Sequence, residues 1–191
     1  MKTILLSVFS LFVTFAIAST DPVTGTGVDV EKSTIEWTGK KVTGKHEGTI
    51  NLKSADLSID NGMITGGNFV IDMTSIQVTD LSGGMADKLR GHLTSDDFFG
   101  VASHPTATLE ISGSEKGEEA GTQLVKGNLT IKNITHPIEF VTSMNGNTAT
   151  AKITVDRSKY DVRYGSKSFF EGLGDNLIYD NFDLNVTLVL K

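Results

Sequence analysis

Every second residue from Phe182 to Leu190 is apolar: Phe182, Leu184, Val186, Leu188 and Leu190 alternate with Asp183, Asn185 and Thr187, Val189 being the one apolar exception. Successive side chains of a strand point to opposite faces, so this set lines one face of a β-strand, and no helix could bury it on one side. The same period recurs in Val125, Gly127, Leu129 and Ile131 against Lys126, Asn128, Thr130 and Lys132, and in Ala151, Ile153 and Val155 against Thr150, Lys152 and Thr154. Weaker versions run from Thr34 to Val42, Thr49 to Ser54, Met63 to Met73, Thr106 to Ser112 and Pro137 to Met144. Asn61-Gly62 and Asn145-Gly146 supply residues that tolerate positive φ, as tight hairpin turns require, and Glu115 to Gly121 reads as a longer polar loop. Gly66-Gly67 at the start of a strand predicts a bulge or sharp bend. The chain is therefore all-β and antiparallel. Strands with one apolar face can bury it in a sandwich or in a closed barrel, and periodicity does not separate the two.

Two segments break the β pattern. Met85, Leu89 and Leu93 recur at steps of four with Lys88 and Arg90 between them, which predicts a short amphipathic helix followed by Phe98-Phe99. A second apolar cluster, Phe169, Phe170 and Leu173, sits between two strands and predicts a short helix or an ordered loop.

Ahead of the strands, Lys2 precedes an apolar run from Ile4 to Ile17 and the small-residue pattern Ala16-Ile17-Ala18, which reads as a secretory signal over 1–18. The run is interrupted by Ser7, Ser10 and Thr14 and falls short of the roughly 20 apolar residues of a spanning helix, so stable membrane insertion is not expected. Residues 19–27 read as a flexible lead-in and 28–191 as one domain. The expected location is periplasmic or secreted, in soluble form. The chain has no cysteine, so neither a disulfide nor a lipidated Cys is available, and the domain must rely on its core.

Several function classes lose support. A net charge of −6 and the lack of a Lys/Arg cluster argue against nucleic-acid binding. His46, His92, His104 and His136 lack the close spacings of zinc sites, and no metal or other cofactor is expected. There is no G-x-S-x-G elbow, no cysteine nucleophile and no Gly-rich phosphate loop.

Four stretches carry a resemblance: GHLTSDDFFGVASHPTATLEISG at 91–113, VKGNLTIKNITHPIEF at 125–140, DRSKYDVRYGS at 156–166 and IYDNFDLNVTLVLK at 178–191. Together, with Asp72, Thr74, Ser75 and Ile76 in the strand before the helix, they resemble the YceI-like family of bacterial periplasmic proteins. The resemblance implies a single eight-stranded antiparallel, lipocalin-like β-barrel with one or two short helices near an end. It implies no catalytic residues, and an amphiphilic lipid such as a polyisoprenoid as partner, held along the barrel axis. The chain departs from the family where Arg157 to Asp161 replaces a small glycine-containing turn, where Phe169 to Asn176 is added, and where Lys40, Lys41, Lys45 and His46 follow Trp37.

The inward strand faces include Trp37, Phe69, Ile71, Leu129, Ile131, Phe140, Ile153, Val155, Phe182, Leu184 and Val186, which either line a lipid tunnel or fill the core. Arg157, Arg163 and Lys167 follow a strand and offer donors for a phosphate head group, Arg157 first because it occupies the family's recurrent arginine position. The alternative is an ion pair of Arg157 with Asp156 or Asp161. Two other functions stay open. One is a lipid-acting isomerase or hydrolase using Asp156 or Tyr160 as acid or base. The other is a packed barrel that binds a protein through the loop Ser166 to Asn176, for which Phe169 and Phe170 would be exposed.

Overall fold

The one-sided strands close into a barrel. The computed structural model describes residues 26–191, and its eight antiparallel strands follow each other around the ring in chain order. They are β1 (Thr26–Lys41), β2 (Gly44–Asp60), β3 (Met63–Val78), β4 (Thr106–Lys116), β5 (Thr122–Ile131), β6 (Ile134–Asn145), β7 (Thr148–Asp156) and β8 (Ile178–Leu190). β8 returns to β1, with Val28 opposite Leu190 and Trp37 opposite Leu184. Closure leaves no free sheet edge, and eight strands enclose a bore that side chains nearly fill. The predicted signal segment lies outside the described residues. β1 begins at Thr26, two residues inside the segment read as lead-in.

Several strands run longer than their apolar alternation because bulges shift its phase. Leu52 and Leu57 are both buried, although an odd separation puts them on opposite faces of a regular strand. A register shift between Leu52 and Ser54 supplies the extra residue that turns Leu57 inward. On β3, Met73 and Ile76 are buried together for the same reason, within a bulge opposite Thr49 to Asn51. Asp72 shapes that bulge: its carboxylate accepts from the backbone N–H and hydroxyl of Thr74, and its carbonyl accepts from Ser75 Oγ. The bend predicted at Gly66-Gly67 appears as a register shift between Ser58 and Ile59, where Thr65 has no opposing partner. The turn at Asn61-Gly62 takes positive φ at both residues.

One helix, α1 (Gly83–Thr94), leaves β3 and lies at the end of the barrel where β7 stops and β8 begins. Its apolar stripe is shorter than the spacing predicts. Met85 is exposed, and only the later positions meet the barrel, Leu93 packing against the core. The segment 157–177 covers the same end, with 3₁₀ turns at Arg157–Tyr160 and Gly174–Asn176. Phe169 and Phe170 lie on its outer side, exposed.

At the opposite end a buried glutamine links the strands. Gln123 Oε1 accepts from Ile64 N and Ser114 Oγ, and its Nε2 donates to Gly62 O, tying β5 to the β2–β3 hairpin. Gln123→Leu leaves the buried Ile64 N–H without its acceptor, and a buried group left unpaired costs about 1–3 kcal/mol. The expected result is a loss of about 1–3 kcal/mol in urea unfolding, with little change in m-value.

Candidate ligand-binding site

Alternation around a closed ring aims a continuous apolar wall at the axis, and bulky side chains leave two spaces along it. A cavity of about 140 Å³ lies at the helix end. A second of about 90 Å³ lies nearer the opposite end. Nearly all of both walls is carbon. Ile35, Ile71, Leu129 and Leu184 line both cavities and form a belt between them.

All twelve residues singled out from the sequence line one cavity or the other. Trp37, Ile131, Val155, Arg157 and Phe182 face the helix-end cavity. Phe69, Phe140, Ile153 and Val186 face the deeper one. Ile71, Leu129 and Leu184 belong to the belt. Sequence reasoning missed the cap. Leu93, Phe98 and Phe99 come from α1 and the turn after it and close over the first cavity. The Phe98-Phe99 pair was visible as an apolar cluster, but nothing in its spacing says that it folds back across a barrel. Asp156 and Tyr160, considered as acid or base, line neither cavity.

The three basic residues do not form one cluster. Arg163 and Lys167 are exposed, whereas Arg157 is 2% exposed. Arg157 Nη1 donates to Val162 O at 2.7 Å, Nη2 to Ile178 O at 3.1 Å and Nε to Tyr179 O at 3.3 Å. Its guanidinium stands over the Phe98 ring at 5.2 Å. Burial lowers its pKa, while the carboxylates of Asp180 and Asp156 act in the opposite sense. The expected ion pair with Asp156 or Asp161 is not the one formed. Nη2 lies 3.6 Å from Asp180 Oδ1. Asp156 instead caps the 3₁₀ turn by accepting from Ser158, and Asp161 pairs with Arg163. The turn carries Asp161 away in a left-handed conformation, φ 58°, and the start of β8 brings Asp180 in.

His92, on the last turn of α1, sits edge-on between two rings, Phe98 at 5.5 Å and Tyr164 at 4.4 Å. Its buried Nε2 has no hydrogen-bond partner among the described residues. Burial lowers the pKa of the imidazole below 6.5, Asp97 opposes that shift, and the Arg157 cation reinforces it. A depressed histidine pKa means that the unfolded chain binds the proton more readily. Stability is therefore whole above pH 6.5 and falls as the pH drops below it towards the folded pKa. The expected result is a stability–pH profile that falls less steeply below pH 6.5 for His92→Phe than for the unsubstituted protein, compared by urea unfolding.

Residues 27–190 match the family model described as the YceI-like domain. The chain belongs to the YceI-like family. Comparison with curated proteins finds no match. Among solved structures, this YceI-like chain is similar to BcnA of Burkholderia cenocepacia, with 23% identity and a TM-score of 0.68 over 86% of this chain and 99% of that one. It is also similar to a polyisoprenoid binding domain from Saccharophagus degradans implicated in plant cell wall breakdown, with 16% identity and a TM-score of 0.60 over 86% and 97% of the two chains. A Campylobacter jejuni YCEI protein aligns at 16% identity and a TM-score of 0.56 over 100% and 99%. At these identities the solved structures establish the shared YceI-like barrel fold.

Proposed function

We propose that this protein is an exported lipid-binding protein that carries or sequesters an amphiphile of polyisoprenoid type, its tail lying along the barrel axis through both cavities. The observation that carries this reading is the pair of carbon-walled cavities in line, separated only by the aliphatic belt. The polyisoprenoid binding domain named in one structural neighbour supports the ligand class, and the signal-like segment 1–18 supports export. A binding role without catalysis is favoured because the walls present carbon to the ligand.

Size sets a condition on the binding mode. A cavity of about 150 Å³ accepts a benzene-sized guest, so the helix-end cavity holds one short apolar group before anything moves. A longer tail must rotate the belt side chains to join the two spaces. Aliphatic side chains move between rotamers at modest cost, and burying each tail methylene returns about 0.8 kcal/mol.

Trp37 is the only tryptophan and lines the first cavity, which makes its fluorescence a reporter of occupancy. Titration with prenyl alcohols of increasing length should change its emission saturably at one ligand per chain, with affinity rising with length. No saturable change with any of them would refute the carrier reading. Leu129→Phe enlarges a belt residue, and is expected to weaken a long prenyl alcohol by about tenfold while sparing a one-unit one, as one or two methylenes of displaced tail imply.

A further inference from the structure

Resting on the lipid-binding reading, we infer that the head group this barrel accepts is uncharged, a hydroxyl or carbonyl seated beside His92, and that phosphorylated lipids of the same tail are discriminated against.

The inference comes from where charge is available at the helix end. A phosphate needs free donors and positive charge. Among the described residues Arg157 is the one cation lining the cavity, and its guanidinium is taken up by three carbonyls. Asp180 stands 3.6 Å away, and the cavity wall itself is carbon.

Outside the cavity an open groove follows, and Ile178 lines both spaces, so a lipid whose tail enters the cavity leaves its head there. Three cations line this groove, Lys41, Lys132 and Arg163, against four carboxylates, Asp96, Asp97, Asp161 and Asp175. Arg163 is already paired with Asp161, and Lys132 Nζ donates to the carbonyl of Asp161 at 2.9 Å. A dianionic phosphate arriving here meets a net negative surface whose cations are largely engaged.

A neutral polar group does find a partner. Phe98 lines the cavity and Tyr164 lines the groove, and His92 packs between those two rings. Its Nε2 is buried and uncommitted among the described residues. A hydroxyl or carbonyl that displaces the Tyr164 edge can exchange a hydrogen bond with it, whereas burial holds the ring neutral and denies a phosphate the ion pair it would need.

The test compares farnesol with farnesyl phosphate, two ligands with one tail, titrated below their aggregation limits against Trp37 emission at neutral pH. Like-charge repulsion from the groove carboxylates implies about tenfold tighter binding of the alcohol or more. Equal or tighter binding of the phosphate overturns the inference while leaving the tail site intact. No response to either ligand overturns the carrier reading itself. The seat is tested with His92→Phe, which should weaken farnesol about three- to tenfold, the loss of one hydrogen bond, and leave the hydrocarbon farnesene unaffected. Unchanged farnesol affinity in that variant refutes the assignment of His92.

Discussion

Arg157→Met is expected to lower stability by about 3–5 kcal/mol, because removing one partner of a buried ion pair leaves the other charge without compensation. Asp180 is that other charge: its Oδ1 is buried and has no hydrogen-bond partner among the described residues, and its Oδ2 accepts from Ser168 Oγ at 2.7 Å. Three carbonyls, those of Val162, Ile178 and Tyr179, lose their donor as well. The guanidinium joins the end of β7 to the start of β8 and to the segment between them, so the loss should be felt first at the helix end. Adding Asp180→Asn removes the orphaned charge and should recover part of the stability. Urea unfolding of the single and double variants measures both effects. A single-variant loss below about 1 kcal/mol, the range of an exposed ion pair, would contradict the clamp.

Gly48→Ala should cost about 3 kcal/mol or more, at the upper end of what overpacking does. Gly48 is opposite Trp37 on one side and Val78 on the other. A Cβ built there falls 1.9 Å from Gln77 O and 2.4 Å from Trp37 Cζ2. The first contact is with backbone and cannot be relieved by a rotamer change. The second pushes the indole from its place in the cavity wall, so the emission of the single tryptophan should shift along with the loss of stability. A variant as stable as the parent with an unchanged emission spectrum would show that Trp37 does not rest on Gly48.

What could be read from the sequence was the part governed by local periodicity. β5, β7 and β8 keep strict alternation, and their inward residues Leu129, Ile153 and Leu184 do line the axis. β2 and β3 run longer than their apolar alternation because their bulges break the phase: Leu52 and Leu57 cannot both be assigned inward without the extra residue between them. The choice of a barrel over a sandwich came from the family resemblance. Physically it depends on the β1–β8 pairing, which joins the first strand to the last, as Val28 to Leu190 and Lys41 to Ile178. The cap was illegible for a similar reason. Phe98 and His92 acquire their roles through contact with Arg157 and Tyr164, which only the tertiary fold brings near. Arg157 lines the helix-end cavity, but its neighbours in sequence are poor guides to its partner. Asp156 and Asp161 are drawn to local turn contacts and to Arg163, and the buried guanidinium is left to Asp180.

The most direct test of the proposed axial lipid site is native mass spectrometry of the protein, purified gently from an expression host, together with mass analysis of its organic extract. One lipid of isoprenoid mass per chain, lost on denaturation, is the predicted result. Protein that emerges without bound lipid and then fails to take up added prenyl alcohols would contradict the account, and would mark the barrel as a packed scaffold.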